Sequence, residues 1–314
     1  MDTTQHTLIK FDNPVVTLKG EPRARAPFLG MKTLWFNTGT LCNIECKNCY
    51  IESSPHNDRL VYLTRDDVKP YLDELEEMSS GPIEIGFTGG EPFMAPEIID
   101  ILEETLSRGH EALILTNAMA PLMRPRVRKG LEKLGETYKD KITFRVSLDH
   151  FTADKHDEER GKGGFDSTLR GMNWLSENGF KLAVAGRTLW HEAESEGRNG
   201  YADLFAEHGF VIDANDPMAL VLFPEMENAS DPPEITTACW SILSVNPADM
   251  MCASQRMVVK RKHADKPVVL PCTLLPYDRR FEMGDTLKQA RDDVPLNHPY
   301  CATFCVLGGG SCSA

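Results

Sequence analysis

A helix that crosses a membrane needs roughly 18 or more consecutive apolar residues, and no stretch of this 314-residue chain approaches that. The first residues, MDTTQHTLIKFDNPVVTLKG, lack the uninterrupted apolar core of a secretion signal. Basic charge is in short supply: 34 Lys and Arg stand against 47 Asp and Glu, a net −13. A field of that sign repels phosphate backbones and argues against nucleic acid as a partner. Two local basic runs, Arg124, Arg126, Arg128 and Lys129, then Lys260, Arg261 and Lys262, read as solvated faces. Without an export signal, the nine cysteines read as metal ligands rather than disulfides, which places the chain in the cytoplasm and off the membrane.

The composition that is present, 41% hydrophobic and 26% charged, is ordinary for a globular protein and can bury a sizeable core. The length suits one large domain, or a barrel-sized domain with a smaller appendage. Residues 1–31, where short β-prone runs are broken by Pro14, Gly20, Pro22 and Pro27, read as an N-terminal extension. It is expected to add strands or a strap, being too short for a separate recognition domain. From Thr33 a strand–helix rhythm begins. Strands are expected over residues 33–37, 83–88, 112–116, 141–148 and 181–187, with a sixth at either 210–213 or 219–223. Helices are expected over 64–78, 96–108 and 201–208, and another along the stripe Phe165, Leu169, Met172 and Leu175. Thr64 and Asp67 have capping-box spacing, Gly109 and Gly179 mark helix ends, and Pro70 predicts a kink or a shifted start.

Alternating strands and helices build a parallel sheet with helices outside and right-handed crossovers. Six such units over roughly 190 residues fall short of the roughly 250 of a closed eight-unit barrel. The expected fold is therefore α/β, a partial (β/α)6 TIM-type barrel over residues 32–224. Chemistry in such a fold sits at the C-terminal ends of the strands, where Cys42, Gly89, Asn117 and Asp149 fall. Beyond 224 the rhythm is lost, and residues 225–314, with six of the nine cysteines, read as a smaller second module.

Cys42, Cys46 and Cys49 stand in LCNIECKNCYIE, just after the first expected strand. A cubane [4Fe–4S] cluster normally takes four thiolates; three on one loop can hold three irons and leave the fourth open. A zinc site short of one ligand, or buried structural cysteines, are the other readings of the spacing. Further on, Gly86 to Pro92 reads GFTGGEP, a strand closed by paired glycines and a carboxylate. Glycines there let the main chain approach a ligand and take torsions barred to other residues. The C-x3-C-x2-C run followed by a GGEP turn resembles the radical S-adenosylmethionine (radical SAM) superfamily.

That resemblance implies an enzyme with a [4Fe–4S] cluster on Cys42, Cys46 and Cys49, whose open iron binds the amino-acid end of S-adenosylmethionine. An electron passed to the sulfonium then releases a 5′-deoxyadenosyl radical that takes hydrogen from substrate. A low-potential donor of flavodoxin or ferredoxin type is implied with it. In the family the glycine turn meets the methionyl amino group, a role carried to Gly89, Gly90 and Glu91, with Pro92 stiffening the turn. Asn117 ends the third strand; Ser147 and Asp149 resemble an S-x-D pattern that reaches the ribose; Arg160 echoes the stretch that follows it. Read as residues alone, Asp149 equally caps a loop and Arg160 equally pairs with Glu158 or Glu159. The family often has an aromatic residue before the third cysteine, where this chain has Asn48. Tyr50, just after it, either covers the adenine or belongs to the core.

In the second module, Cys252 and Cys272 flank a hairpin pattern, and Cys301, Cys305 and Cys312 follow a G-D-x-L run. This resembles the auxiliary-cluster modules called SPASM and twitch, and five cysteines suit the single-cluster twitch form better. The resemblance implies an auxiliary [4Fe–4S] cluster; a structural zinc site is the rival reading. Four ligands from five leave one over: Cys312 either ties down the tail or is a free thiol. Cys239, beside Trp240, reads as a buried apolar residue.

Three functions follow as expectations. The first is a radical SAM enzyme that oxidises or cross-links a peptide or protein side chain with help from the auxiliary cluster. The second is a radical SAM dehydrogenase or rearrangement enzyme on a small metabolite, and the third a non-enzymatic iron–sulfur or zinc protein. A cobalamin-dependent methyltransferase is expected to need a further domain. His191, Glu192 and Glu194 follow the fifth strand and read as pocket lining, and Arg187 as a contact for an acidic substrate; a solvated loop explains them equally.

Overall fold

The structure, a computed structural model, describes residues 9–79, 81–224 and 231–310. After a two-residue strand β1 (Arg25–Ala26), six parallel strands lie side by side in chain order. They are β2 (Thr33–Asn37), β3 (Glu84–Thr88), β4 (Glu111–Thr116), β5 (Ile142–Ser147), β6 (Lys181–Arg187) and β7 (Leu220–Phe223). The helices between them are α1 (Arg65–Met78), α2 (Ile98–Ser107), α3 (Pro125–Tyr138), α4 (Ala153–Arg160), α5 (Gly164–Glu177) and α6 (Glu194–His208). The sheet does not close. Its final order is β7-β6-β5-β4-β3-β2-β8-β9, where β8 (Gln255–Val259) runs parallel to β2 and β9 (Val268–Leu270) antiparallel to β8. This is the expected partial barrel, with its sixth strand at the later of the two positions.

The strands are apolar on both faces, as parallel strands covered on both sides must be. Leu34 and Phe36 of β2, Ile85 and Phe87 of β3, and Phe144 and Val146 of β5 pack beneath the helices. Trp35 and Leu113, on the opposite face, pack instead with Met257, Val259 and residues of the N- and C-terminal segments. Gly86 makes room for this: a Cβ there would stand 2.2 Å from the Trp35 ring, whose Nε1 donates to Gln255 Oε1 at 2.9 Å. The hairpin expected in the second module thus forms, and its first strand extends the main sheet because the inner face of β2 is apolar.

Local signals explain most element ends. Thr64 caps α1, its hydroxyl accepting from Asp67 N at 3.1 Å while its own N–H donates to Asp67 Oδ2 at 3.0 Å. Asp67 also receives Lys260 Nζ at 2.8 Å, so the cap ties the barrel to β8. Pro70 neither moves the start of α1 nor ends it. It lies on the exposed side, where the one carbonyl it deprives of a partner can turn to water. The second basic run is paired throughout: Arg261 with Glu282 at 2.6 Å and Lys262 with Asp58 at 2.5 Å complete the pattern begun by Lys260.

Residues 9–31 form a strap over the cysteine-rich segment. Arg23, fully buried as a side chain, pairs with Glu234 at 2.5 Å, and Glu234 accepts from Phe11 N and Leu18 N. β1 pairs antiparallel with β10 (Val294–Pro295), and Ala24 N donates to Ile235 O at 2.9 Å. Among the described residues no helix is long and apolar enough to cross a membrane.

Candidate functional site

β2 delivers the chain into the cysteine loop at the C-terminal rim of the sheet. Leu41 bridges Ser54, and Cys42 N donates to Ser54 O at 3.0 Å, so the segment between leaves and returns at one point. Cys42 is buried and Cys46 and Cys49 are half-buried. α4 holds the loop from the side. Lys47 N donates to Glu159 O at 3.0 Å, and Asn48 Nδ2 donates to both carboxylate oxygens of Glu159, at 2.9 and 3.0 Å. Arg187 Nη1 reaches Asn48 O at 3.1 Å and Glu159 Oε2 at 3.5 Å. Asn48, where the resembling family often has an aromatic residue, therefore clamps the loop to a buried carboxylate.

The glycine turn after β3 rests directly on this loop. Gly90 N donates to Gly39 O at 2.8 Å and Glu91 N to Leu41 O at 3.3 Å. A Cβ on Gly89, at φ +134°, would stand 2.4 Å from Gly39 O, and one on Gly90 2.2 Å from Leu41 O. What the glycines permit is contact between two stretches of main chain, a nearer cause than the approach to a ligand expected from the sequence. Glu91 is turned away: Oε1 accepts from Thr116 Oγ1 at 2.8 Å and Phe93 N at 3.2 Å, and Oε2 from Asn117 N at 2.8 Å. Expected as a cofactor contact, it is a buried brace between the ends of β3 and β4 and does not line the cavity beside it. Burial pushes its carboxyl up to about 7 against the pull of those three donors.

A cavity of about 330 Å³ opens above the strand ends, within the range of small-molecule sites. Cys42, Cys46 and Cys49 line one side with Gly89 and Gly90; Asn117, Ser147, Asp149, Arg160 and Tyr50 also face it. Asn117 Nδ2 donates to Asn43 Oδ1 at 3.0 Å and lies 3.9 Å from Cys42 Sγ. Asp149 and Arg160 form a forked pair at 2.6 and 3.0 Å, so Arg160 takes neither Glu158 nor Glu159 as partner. The far wall is apolar, made by Phe223 and Pro224 with Leu274, Tyr300 and Phe304 of the C-terminal segment. Sequence reasoning did not find that wall; only the nearness of Tyr300 to Cys301 hinted at it. Arg187, the last residue of β6, lines the cavity, whereas in the loop that follows Glu192 bonds His150 at 2.9 Å beside a separate small hollow and His191 is exposed.

Burial pushes the Cys42 thiol up to about 12, opposed by a main-chain N–H from Ile44 and reinforced by Glu91, Cys46 and Cys49. Cys46 is raised as well, first by burial, with Arg160 opposing. Thiols so placed give up their protons only to a compensating cation, the condition of a metal ligand set. Their number, their sharing of one loop and the cavity beside them fit an iron–sulfur cluster with one position left to a second ligand.

Four further thiols meet beneath the apolar wall. Cys252 comes from a short turn before β8, Cys272 from the residues after β9, and Cys301 and Cys305 from a π-helix, Cys301–Leu307. All four line one small hollow of about 10 Å³ together with Met250, Met251 and Leu275. Leu274 and Tyr300 line both this hollow and the large cavity, so one layer of side chains separates them. Burial pushes Cys252 up to about 11 and Cys301 up to about 12, and Cys252 adds to the latter. Cys239 is half-buried beside Trp240, outside the hollow, and Cys312 lies outside the described residues. Among the described residues no three His, Cys, Asp or Glu side chains are arranged to hold a single metal ion.

An open parallel α/β sheet with a three-cysteine loop and a glycine turn at its C-terminal rim defines a metal-cluster enzyme class. The chain belongs to the Radical SAM superfamily, whose family profile matches residues 36–196. It is 36% identical over 145 residues to the antilisterial bacteriocin subtilosin biosynthesis protein AlbA of Bacillus subtilis, covering 46% of this chain and 30% of AlbA. It is 31% identical over 153 residues to Fe-coproporphyrin III synthase of Methanosarcina barkeri, 48% of this chain and 35% of that one. To mycofactocin maturase MftC of Mycolicibacterium smegmatis it is 30% identical over 139 residues, 44% of this chain and 33% of MftC. The matched region thus spans about a third of these relatives. In fold it resembles Streptococcus suis SuiB bound to S-adenosylmethionine, with a TM-score of 0.58, 14% identity and coverage of 81% of this chain and 63% of SuiB. It also resembles anSMEcpe with bound AdoMet, at 0.59, 14%, 82% and 79%.

Proposed function

We propose that this chain cleaves S-adenosylmethionine reductively and uses the resulting radical to oxidise or cross-link a side chain of a peptide or protein. The observation that carries the reading is the meeting of Cys42, Cys46 and Cys49 with the Gly89–Gly90 main chain at the mouth of one large cavity. Cys42, Cys46 and Cys49 would hold a [4Fe–4S] cluster, which would supply the electron for reductive cleavage of the sulfonium. The chain's own residues do the rest. Asn48 and Glu159 fix the loop, the Gly89–Gly90 turn receives the amino-acid end of the cofactor, and Asn117, Ser147, Asp149 and Arg160 with Tyr50 hold the nucleoside end. The apolar wall of Phe223, Leu274 and Phe304 excludes water from the radical and receives the substrate group.

The substrate class is supported by the names of two relatives, a bacteriocin biosynthesis protein and a mycofactocin maturase. Residues 225–314 act in this reading as the auxiliary-cluster module, with Cys252, Cys272, Cys301 and Cys305 as ligands and residues 1–31 strapping them to the barrel of residues 32–224. The electron donor is a flavodoxin or ferredoxin and the compartment the cytoplasm. Likeness to a coproporphyrin enzyme favours a second reading, a small-metabolite oxidation in the same cavity.

Anaerobic reconstitution with iron and sulfide counting, on wild type and a Cys42/Cys46/Cys49→Ala variant, tests the first step. Wild type should hold about eight irons and the variant about four, and only wild type should convert S-adenosylmethionine to 5′-deoxyadenosine under dithionite. A variant that still makes 5′-deoxyadenosine defeats the assignment. Mass spectrometry of peptides encoded beside the gene, after incubation with the enzyme, separates the peptide reading from the metabolite one.

A further inference from the structure

Arg256 is the second residue of β8, and its side chain is fully buried. Its guanidinium donates to the carbonyl oxygens of Cys252 at 2.6 Å, Gln255 at 2.7 Å, Ala290 at 2.7 Å and Asp292 at 3.1 Å, and lies 4.2 Å over the Phe28 ring. All its hydrogen bonds among the described residues are to main-chain oxygens. Arg23, whose side chain is as deeply buried, has Glu234, and the half-buried Arg160 has Asp149. A full charge in the interior without an anion is expensive, and such groups persist where something nearby carries the opposite sign. Carbonyl dipoles and a ring face offset part of that cost. What lies beside Arg256 is the four-thiol site: the arginine does not line the hollow itself but holds the main-chain carbonyl of Cys252, one of the four cysteines that do.

We infer that Arg256 is the counter-charge of the four-thiol site and sets the reduction potential of an iron–sulfur cluster held by Cys252, Cys272, Cys301 and Cys305. The inference rests on the auxiliary-cluster reading above. Four thiolates make such a cluster anionic, and reduction adds one more negative charge. A fixed cation in a low-dielectric surround stabilises the reduced form more than the oxidised one, which raises the potential. Arg256 acts through the field and through Cys252, so it is a positioning residue.

The test uses the full chain carrying Cys42/Cys46/Cys49→Ala, so that only the second site can hold iron. Arg256→Lys and Arg256→Met are made in that background and reconstituted anaerobically. Iron and sulfide are counted, and the midpoint potential is read by redox titration followed by electron paramagnetic resonance. Lys keeps the charge and should leave the potential near that of the parent. Met fills similar space without charge and should shift it to a lower value. A Met protein that loses iron while the Lys protein keeps it points the same way. Equal shifts in both variants, or none in either, overturn the inference and make Arg256 a packing residue. A parent protein that retains no iron removes the auxiliary-cluster reading and the inference with it.

Discussion

The two thiol sites of this molecule are built in opposite ways. The first gathers Cys42, Cys46 and Cys49 on one loop, half open to a cavity of about 330 Å³ and surrounded by polar groups. The second draws its thiols from three separate segments into a small hollow of about 10 Å³ lined by Met and Leu. Charge is handled differently as well: Arg160 beside the first site is shared with Asp149, whereas Arg256 beside the second has carbonyls alone. A site carried on one loop can admit a cofactor and change its ligand without the fold moving. A site assembled from distant segments cannot form or empty without ordering or loosening all of them, which is the coupling of ligation to folding.

The largest effect should come from breaking that coupling. Cys252→Ala with Cys301→Ala removes two buried members of the inner core and, in the proposed reading, two ligands. After anaerobic reconstitution, melting and limited proteolysis should show a loss on the order of several kcal/mol, with cleavage concentrated in residues 231–310. The Cys42/Cys46/Cys49→Ala protein should melt close to wild type. Equal destabilisation by the two sets would erase the distinction between a grafted and an integral site.

The same contrast decides what could be read from the sequence. The cysteine loop, the GGEP turn and the six strands are local patterns, so spacing and periodicity identified them. Five C-terminal cysteines, Cys252, Cys272, Cys301, Cys305 and Cys312, stand as candidates for four ligand places in the sequence, and the convergence of the first four depends on pairing over long sequence separations, such as β2 with β8. That pairing follows from the apolar inner face at Trp35 and Met257, a cue indistinguishable from a core strand of any kind. Glu91 carries a role no spacing shows: a carboxylate in a binding turn suggests a ligand contact, and only the fold reveals that its side chain is held by Thr116 and Asn117. Arg256 left no sign, since Arg in a β-prone run reads as a surface residue.

The next effect lies in the packing of the two main chains at the first site. Gly90→Ala would set a Cβ 2.2 Å from Leu41 O, and both atoms belong to constrained backbone. Overpacking of this kind costs about 1–3 kcal/mol. Because the strained element is the cysteine loop, iron at the first site should fall while iron at the second stays. Gly197→Ala is the control: it sits in α6 with nothing within 4 Å of the added Cβ. That change should be neutral or stabilising by up to about 1 kcal/mol. Equal iron loss in both variants would detach the turn from the loop.

The smallest effect is a slope with pH. Glu91 is held by three donors that favour its charged form, yet burial outweighs them and lifts its carboxyl from the ordinary 4.5 to about 7. Between those two values the folded chain keeps a proton that the unfolded chain has released. Stability drawn from this group is therefore greatest below the lower value and declines as pH rises through the upper one. Glu91→Gln removes the titration. Its amide must turn an NH2 group toward one of the three donors, which lowers stability by an amount that does not vary with pH. The advantage of wild type over the variant, followed by urea denaturation in steps from pH 5 to pH 8, should shrink across that window and then level off. If the advantage grew with pH instead, the three donors would outweigh burial, and the brace between β3 and β4 would rest on a permanently charged carboxylate.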